Sequence, residues 1–347
     1  MSVMENSVEI VDLRNLRPEA MESLLADEAH AWQDNLLWDY TATVGMIRRF
    51  LDGRALTGYA AMSNGRAVGF TFYVCEAGKG LVGDVFVCPD WRNDAIYSLL
   101  LTHTLETLEA TPGVRRIEAQ LLHVDTPAVR ALFAGRGYTC YGRSFLKLKL
   151  SSVSSTPATH LPLGVVIAEW EAGKFLDSAN LITRSYAGHV DCEVSDQYRT
   201  QAGALRFLDN IIHYPGCGEF YPPASLLAYR GGGHDTEVTP IAHLDGQPCG
   251  MLLTSVVSPG VAHITQLCVS PERQGAGVGY GLLQRALDVL AARGFQAVTL
   301  TATDANGGAM NLYRRAGFST MQSFPAFAWE SGSQRQGSLV DGLAIRP

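Results

Sequence analysis

The stretch QLCVSPERQGAGVGYGLLQRAL, from Gln266 to Leu287, combines an apolar strand, a glycine-rich turn and a helix pattern. The strand ends at Val269, the turn holds Gly275, Gly277 and Gly279, and leucines then recur at helical spacing. Backbone N–H groups at a helix start lack intrahelical acceptors and lie at the positive end of the helix dipole. Missing Cβ atoms there let an anion approach closely, so the stretch predicts either a pyrophosphate-binding loop or a tight strand-to-helix turn.

Two familiar phosphate motifs do not fit this turn. A dinucleotide fingerprint needs GxGxxG, but the sixth position counted from Gly275 is Tyr280, and from Gly277 it is Leu282. No acidic residue near position 299 is available to bind a ribose, and no lysine follows the glycines as a Walker loop requires. These differences argue against NAD and against P-loop nucleotides.

The chain contains the same pattern twice. At offsets of 180 to 182 residues, Asn64-Gly65 corresponds to Asp245-Gly246, Val87-Cys88-Pro89 to Val269-Ser270-Pro271, and Leu132 and Gly137 to Leu312 and Gly317. Landmarks in one order at a nearly constant offset predict a duplicated domain. The Ser/Thr/Pro-rich stretch SSVSSTPATHLP between the copies is typical of an exposed linker. We predict a first domain at residues 1–150, a linker at 151–162, a second domain at 163–330 and a tail at 331–347.

Each copy has the order strand, helices, hairpin, long strand, helix, strand, helix, strand. In the second copy the predicted strands cover residues 241–244, 251–257, 262–269, 297–302 and 327–329, with helices over 282–290 and 309–316. This mixed order predicts an α/β fold around a partly antiparallel sheet. The opening helical regions, Pro18–Arg54 and Lys174–His213, differ most between the copies and are expected to influence substrate choice.

Composition excludes several classes of protein. The 347 residues are 47% apolar and 18% charged, with a net charge of −7, which argues against disorder and against a nucleic-acid partner. There is neither an apolar run long enough to cross a membrane nor an N-terminal secretion signal. Seven cysteines without a CxxC pair predict a reducing cytoplasm and no zinc or other metal site.

A paired motif points to a family. Gln274-x-x-Gly277-x-Gly279 after a strand, followed by Asn306, Ala309, Leu312, Tyr313, Gly317 and Phe318, resembles the signature of the GNAT superfamily of acyl-CoA-dependent N-acyltransferases. The resemblance implies two tandem GNAT-like domains, each a mixed, mostly antiparallel twisted sheet flanked by helices. The layout is similar to that of tandem GNAT proteins of the mycothiol synthase type.

The resemblance also implies a cosubstrate, acetyl-CoA, and roles for individual residues. The residues expected to cradle its pyrophosphate are Gln274, Gly275, Ala276, Gly277, Val278 and Gly279, and those expected to line its pantetheine arm are Leu267, Cys268 and Val269. Asn306 is expected to contact the same arm. Tyr313 resembles the phenol that protonates the departing thiolate, although a helix tyrosine packed on the core would give the same pattern.

The general base is not fixed by the motif. Some family members have a glutamate just before the loop, where this chain has Gln266, which accepts no proton. We consider His189 and Glu193, both in GHVDCEVSD, as catalytic bases, with Asp191 in the same segment as an alternative. Further alternatives are His263 and Asp304. A surface role is the other explanation for His189, since loop histidines are ordinarily exposed polar residues.

The first copy departs from the motif at the positions that matter. Tyr97 stands where the second copy has Gly279, Asn93 where it has Gly275, Thr126 where it has Asn306 and Phe133 where it has Tyr313. We therefore predict a degenerate first domain without CoA, although a divergent working site satisfies the loose pattern as well.

The sequence thus predicts an N-acetyltransferase that moves the acetyl group of acetyl-CoA to a primary amine of a small molecule or peptide by direct attack in the C-terminal domain. The alternative is a non-catalytic acyl-CoA-binding protein with a sensing or interaction role. Antibiotics, amino acids, polyamines and peptide N-termini all remain open as acceptors. The chain is expected to be a monomer or a homodimer.

Overall fold

The computed structural model describes residues 8–150, 164–214, 216–231 and 246–332. The predicted linker at 151–162, the predicted strand at 241–244 and most of the predicted tail lie outside these residues. The elements, in chain order, are β1 (Glu9–Asp12), α1 (Pro18–Leu36), α2 (Thr41–Asp52), β2 (Gly58–Ser63), β3 (Arg66–Glu76), β4 (Lys79–Val87), α3 (Asp94–Ala110), β5 (Arg116–Gln120), α4 (Pro127–Gly135), β6 (Thr139–Lys149), β7 (Val165–Glu169), α5 (Phe175–Ser185), α6 (Asp191–Val194), α7 (Gln201–His213), β8 (Glu219–Phe220), β9 (Leu226–Arg230), β10 (Gly250–Ser258), β11 (Val261–Val269), α8 (Val278–Ala292), β12 (Ala297–Thr303), α9 (Gly307–Arg315) and β13 (Ser319–Glu330).

The chain divides into two compact units. Within the described residues, unit 1 contains 8–28, 46–141 and 324–332, and unit 2 contains 29–45 and 142–323 apart from the gaps given above. Compared with the division predicted from sequence, unit 2 also includes residues 29–45 and most of β6, and unit 1 includes the end of β13. Periodicity shows that a segment is a strand but not which repeat it pairs with. The exchange of these segments between the two repeats was therefore not predictable from the pattern.

Unit 1 contains a sheet with the strand order β1-β2-β3-β4-β5-β13. Its pairs are antiparallel except for the parallel pair β4–β5. The β2–β3 hairpin turns at Asn64 and Gly65, both with positive φ, as expected for the Asn-Gly signal. At the other end of the sheet, Ala326–Glu330 of β13 pairs with Gln120–Arg116 of β5.

Unit 2 contains the corresponding sheet, in the order β6-β12-β11-β10-β9-β7, with β8 paired to β10. Its pairs are antiparallel except for β11–β12. Neighbouring residues of β9 alternate between two cores, because Leu226 and Ala228 pack with α8 while Leu227 and Tyr229 pack with α5 and α7. Helices therefore cover both faces of this sheet, which confirms the predicted fold class.

Strand register shows the duplication directly. In β4, Gly83 is an extra residue between the pairs Phe72–Asp84 and Tyr73–Val82, and in β11 Thr265 is the extra residue at the equivalent place. Each bulge lies beside a parallel pair that is four residues long. Because a bulge redirects the strand, both repeats keep the same local geometry at this point.

Most predicted elements of the second copy are present with small changes at their ends. The five leucine and alanine positions of the predicted helix are buried in α8, and Gly294 follows the end of this helix with a φ of 80°. β13 is longer than predicted, and β9 was not predicted because a short apolar run such as LLAYR carries little periodicity. Among the described residues, no helix is long and apolar enough to span a membrane.

Candidate active site

The glycine-rich turn connects β11 to α8 in unit 2. Gly275 and Gly277 have φ values of 74° and 87°, in the left-handed region that favours glycine. Gly277 is the N-cap of α8, and its carbonyl accepts the first helical hydrogen bond from Gly281 at 2.9 Å. The amides of residues 278–280 therefore have no acceptor within the helix and remain available to an anion.

The other residues of the turn hold it against the strand. The Gln274 side-chain amide donates to the Val269 carbonyl at 3.1 Å. A Cβ built on Gly279 would lie 3.2 Å from Leu312 Cδ1 and 3.4 Å from Val269 Cγ2, whereas one on Gly275 would meet nothing within 4 Å. The third glycine thus permits close packing of α8 and α9, while the first leaves space outside the turn.

A cavity of about 460 Å³ extends along this turn and between α8 and α9. Its lining contains all the predicted cosubstrate residues except Ala276, together with Ser185, Tyr186, His189, Arg273, Tyr280, Gly308, Ala309, Asn311, Leu312 and Arg315. Arg273 and Arg315 line the same cavity as the turn, and the Arg315 guanidinium is 5.3 Å from the Tyr280 ring centre. The cavity thus offers positive charge and free backbone amides.

The wall formed by β11 is an open strand edge. β11 pairs with β12 from Val261 to Ile264, and the pairing stops before the bulge at Thr265. Beyond it, residues 266–269 pair with β10 but have no partner in β12. This stretch of β11 is unpaired by β12, as expected where a ligand is to add to a sheet edge, while the Leu267 and Val269 carbonyls accept hydrogen bonds from the Tyr186 hydroxyl and the Gln274 side chain.

Tyr313 is buried at the side of this cavity on α9. Its side chain is 7% exposed and packs edge-on against Phe318 at 5.9 Å. Burial, reinforced by the nearby Asp191 carboxylate and Cys268, raises the pKa of Tyr313 above the ordinary value for a phenol. The hydroxyl therefore keeps its proton at neutral pH and is able to donate it.

His189 and Asp191 form a hydrogen-bonded pair beside the same cavity. His189 Nδ1 lies 3.1 Å from Asp191 Oδ2, and the Thr303 hydroxyl donates to Asp191 Oδ1. The hydrogen bond to Asp191 raises the pKa of His189 above its usual value. Burial opposes ionisation of Asp191, but the bonds from His189 and Thr303 and the positive charge of Arg143 together lower the pKa of this carboxyl group.

Asn306 connects this pair to helix α9. Its Oδ1 accepts from the Ala309 amide at 3.1 Å and so caps the helix, while its Nδ2 donates to Asp191 Oδ2 at 3.5 Å. The residue also lines the cavity. Asn306 therefore links the turn before α9 to the segment that carries His189 and Asp191.

A smaller cavity of about 110 Å³ lies next to the first. The two share Tyr186, Leu267, Asn306, Ala309 and Tyr313, and the smaller is also lined by Arg143, Asp191, Tyr198, His263, Ile264, Thr265, Gln266, Thr301, Ala302 and Thr303. The side-chain amide of Gln266 is engaged there, because its Nε2 donates a hydrogen bond to the Tyr186 hydroxyl at 3.0 Å. Tyr313 and Asn306 thus stand between a larger and a smaller chamber.

Comparison with protein families identifies the family of the chain. The model of the acetyltransferase (GNAT) family matches residues 13–138 and 209–318, which together make up more than half of the chain. The chain belongs to the GNAT acetyltransferase family. Both repeats are matched, so the duplication seen in strand register is a tandem of GNAT domains.

Relatives and solved structures agree with this assignment. A mycothiol acetyltransferase from Clavibacter michiganensis subsp. michiganensis is 27% identical over 87% of this chain and 89% of its own length, and one from Clavibacter sepedonicus is 29% identical over 71% of each. A GCN5-related N-acetyltransferase from Sphaerobacter thermophilus has a TM-score of 0.65 at 17% identity, covering 92% of this chain and 95% of that one. A tandem GNAT protein from the clavulanic acid biosynthesis pathway has a TM-score of 0.62 at 18% identity, covering 94% and 99%. The protein is an acetyl-CoA-dependent acyltransferase of tandem GNAT architecture.

The remaining predicted bases lie in settings of different kinds. Glu193 is 57% exposed, forms an ion pair with Arg199 at 2.9 Å, and lines neither of the two cavities. His263 is buried and hydrogen-bonded to Thr299, and burial together with the charge of Arg143 lowers its pKa to about 3. Asp304 accepts a hydrogen bond from Ser144 at 2.7 Å and also lies outside both linings. Of the predicted bases, His189 lines the larger cavity and Asp191 lines the smaller one, and their side chains lie 3.1 Å apart.

In unit 1 the GNAT turn has different chemistry. Asn93 caps α3 with its own side chain, accepting from the Ile96 amide at 3.0 Å, and Asp94 places a negative charge at the helix start. Tyr97 is 4% exposed within the core. Phe133, opposite Tyr313 in the repeat, stacks on Phe327 at 3.9 Å. These side chains occupy or neutralise the features that the second turn leaves open.

Several lining residues were not found from sequence. The Tyr186 hydroxyl accepts a hydrogen bond from Gln266, and the Thr303 hydroxyl donates one to Asp191. Neither Tyr186 nor Thr303 belongs to the GNAT motif. Arg143 lies in β6, at the end of the first repeat, and reaches the smaller cavity because β6 pairs with β12, where Arg143 is opposite Thr303. Within the described residues, no cluster of three or more His, Cys, Asp or Glu side chains is arranged to hold a metal ion.

Proposed function

We propose that unit 2 transfers the acetyl group of acetyl-CoA to the primary amine of a small molecule or peptide. The observation that carries this proposal is one cavity whose lining contains the glycine turn together with Tyr313 and His189. A protein that senses acetyl-CoA without turnover needs the turn but not a buried phenol next to a histidine–carboxylate pair.

The residues of the cavity suit acetyl-CoA. The free amides at the start of α8 and the nearby Arg273 and Arg315 match a pyrophosphate, and the open edge of residues 267–269 matches an amide-containing arm. When bound, acetyl-CoA supplies a thioester, whose carbonyl carbon accepts an amine and whose sulfur leaves as a thiolate. Burial raises the pKa of Tyr313 and keeps its hydroxyl protonated at neutral pH, so the hydroxyl is available to donate a hydrogen bond, and then its proton, to the departing sulfur.

His189 and Asp191 account for the proton on the amine. An alkylamine with a pKa of about 10.4 is about three units above neutral pH, which makes its deprotonated form cost roughly 4–5 kcal/mol. His189 Nδ1 lies 3.2 Å from the Asp191 backbone nitrogen and 3.1 Å from Asp191 Oδ2; in the tautomer whose Nδ1–H donates to the carboxylate, Nε2 carries the lone pair that accepts a proton. Asp191, held ionised by Thr303 and Arg143, then stabilises the imidazolium that forms.

Unit 1 is proposed to bind no CoA. Its helix start is capped by Asn93, carries Asp94, and is followed by the buried ring of Tyr97. A pyrophosphate would have to displace the cap and lie beside a carboxylate, and both changes are unfavourable. The bulge at Gly83, which matches the one at Thr265 in unit 2, supports a shared fold in which unit 1 has lost the anion site.

The acceptor is proposed from the relatives and tested with a panel. Because the relatives named above are mycothiol acetyltransferases, the deacetylated form of mycothiol is the first amine to test, followed by amino acids, peptides, polyamines and aminoglycosides. A cytoplasmic location agrees with the seven cysteines, all of which lie in described residues and are free.

The test measures CoA release with each amine alongside acetyl-CoA binding by calorimetry. We expect amine-dependent release and an acetylated product of matching mass. Tight acetyl-CoA binding without amine-dependent release across the panel would favour the sensing function instead. A panel repeated with propionyl-CoA and with alcohols defines the acyl chain and the acceptor atom.

A further inference from the structure

The smaller cavity of unit 2 has two charged side chains of opposite sign in its lining. Asp191 supplies the carboxylate and Arg143 supplies the guanidinium. The ring of His263 also lines the cavity but is neutral, packed between Trp38 at 5.0 Å and Phe145 at 5.7 Å. The other lining residues are uncharged, so the lining has a net charge of zero when Asp191 is ionised.

Strand register fixes Arg143 on the side of the sheet that faces Asp191. Arg143 of β6 is directly opposite Thr303 of β12, and residues paired in this way project from the same face with Cβ atoms about 4.5–5.5 Å apart. The Thr303 hydroxyl donates to Asp191 Oδ1. Thr303 is thus paired with Arg143 and bonded to Asp191, and the charge of Arg143 acts on Asp191, Tyr198 and His263.

This arrangement limits the amines that the cavity accepts. An ammonium group is attracted to Asp191, but a second cation on the same molecule would meet Arg143 and find no further carboxylate in the lining. An oxygen atom close to the amine would instead meet a guanidinium, which offers planar, forked donors to carboxylate or carbonyl oxygens.

We propose that Arg143 is a specificity-determining residue. It binds an oxygen on the carbon next to the one that carries the acceptor amine. The acceptors are then α-amino acids, their amides or peptide N-termini, while polyamines are excluded. The proposal rests on the proposed function of unit 2. It assigns a site residue to β6, a strand of the first repeat that belongs to unit 2 and ends next to β12.

Two amines that share the same amine-bearing carbon and methyl group test the proposal. Alanine amide and isopropylamine differ by the replacement of the carboxamide with a methyl group. Arg143→Gln should lower kcat/KM for alanine amide about tenfold or more, the effect of losing one hydrogen bond to a charged group, and change that for isopropylamine less than about threefold. Arg143→Lys, which keeps the charge but loses the fork, should give an intermediate loss for the amide. Lys147→Gln removes a charge from the same strand outside this cavity and should affect neither amine.

Equal losses for both amines in Arg143→Gln, or no loss for either, would overturn the proposal. Melting temperatures show whether each variant is folded, and Arg143→Lys carries the test if Arg143→Gln is not. If the wild type binds acetyl-CoA but acetylates neither amine, the proposed function fails separately. NMR titration of alanine amide in the presence of CoA then still decides the role of Arg143, since equal affinity in wild type and Arg143→Gln would exclude it.

Discussion

Tyr313 combines burial with a position between the two cavities. Its hydroxyl has no hydrogen-bond partner within the described residues, so a ligand is free to provide one. A phenol kept protonated by its surroundings is able to donate a hydrogen bond to a departing sulfur and does not act as a base at neutral pH.

We expect Tyr313→Phe to lower kcat at least about tenfold while leaving the affinity for acetyl-CoA nearly unchanged, because general-acid catalysis contributes more to the transition state than to binding. Tyr229→Phe is the matched control, since it also removes a buried hydroxyl from unit 2 but lines neither cavity. Steady-state kinetics and calorimetry on both variants make the comparison. Wild-type turnover in Tyr313→Phe would remove Tyr313 from the mechanism.

The pH dependence should report His189. A base works only when neutral, so kcat/KM should fall as the pH drops through the pKa of His189, which Asp191 holds above the ordinary histidine value. Asp191→Asn removes this effect and should move the acidic limb to lower pH, and His189→Gln should abolish the limb. Asn306 and Tyr186 also lie against the ring and are kept intact in both variants. An unchanged acidic limb in His189→Gln would assign the base to another group.

At the scale of elements, the turn between β11 and α8 depends on glycine for two separate reasons. Gly275 adopts a positive φ and has open space where a side chain would lie. The missing side chain of Gly279 instead allows close contact with Leu312. Only the first of these reasons concerns the ligand.

We expect Gly275→Tyr to weaken acetyl-CoA binding beyond detection by filling the cavity beside the turn. Gly294→Tyr is the control for backbone strain, since Gly294 has a φ of 80° and equally open surroundings at the far end of α8. Both variants should lose about 1–2 kcal/mol of stability, measured by denaturant unfolding, because both force a side chain into the left-handed region. Normal acetyl-CoA binding in Gly275→Tyr would show that the turn is not the anion site.

The sequence was sufficient to predict the elements around this turn but not everything they position. The strand, turn and helix follow from periodicity and glycine spacing, and the loss of the turn in the first copy follows from Asn93 and Tyr97. The contact between Asp191 and Thr303 depends on a loop crossing the end of the sheet, and no spacing rule connects residues 112 positions apart. Arg143 depends on a strand pairing outside its own repeat, which local patterns do not contain.

At the scale of the whole chain, two GNAT domains are present but one anion site is expected. Calorimetry should give one acetyl-CoA per chain for the wild type and none for Gly275→Tyr, because the turn in unit 1 is capped by Asn93 and carries Asp94. Two molecules per wild-type chain, with one retained in Gly275→Tyr, would show that unit 1 has a working site.

A second prediction for the chain follows from the segments of the first repeat that belong to unit 2. A fragment starting at residue 151 lacks β6 and residues 29–45, so β12 loses the seven-residue ladder from Arg143 to Lys149. We expect this fragment to lack a cooperative melting transition and to bind no acetyl-CoA. Adding residues 1–150 as a separate chain should restore binding in part. A fragment that binds acetyl-CoA with full affinity by itself would contradict this expectation.

The pairing of β13 with β5 has a consequence for how the protein is made. The ribosome completes β5 at Gln120, but its partner, Ala326–Glu330, follows about 205 residues later in the chain. At typical synthesis rates of 5–20 residues per second, this edge of the growing sheet remains unpaired for roughly 10–40 s. Unpaired strand edges invite pairing with other chains. We therefore expect association between growing chains to be most frequent in the period before β13 emerges.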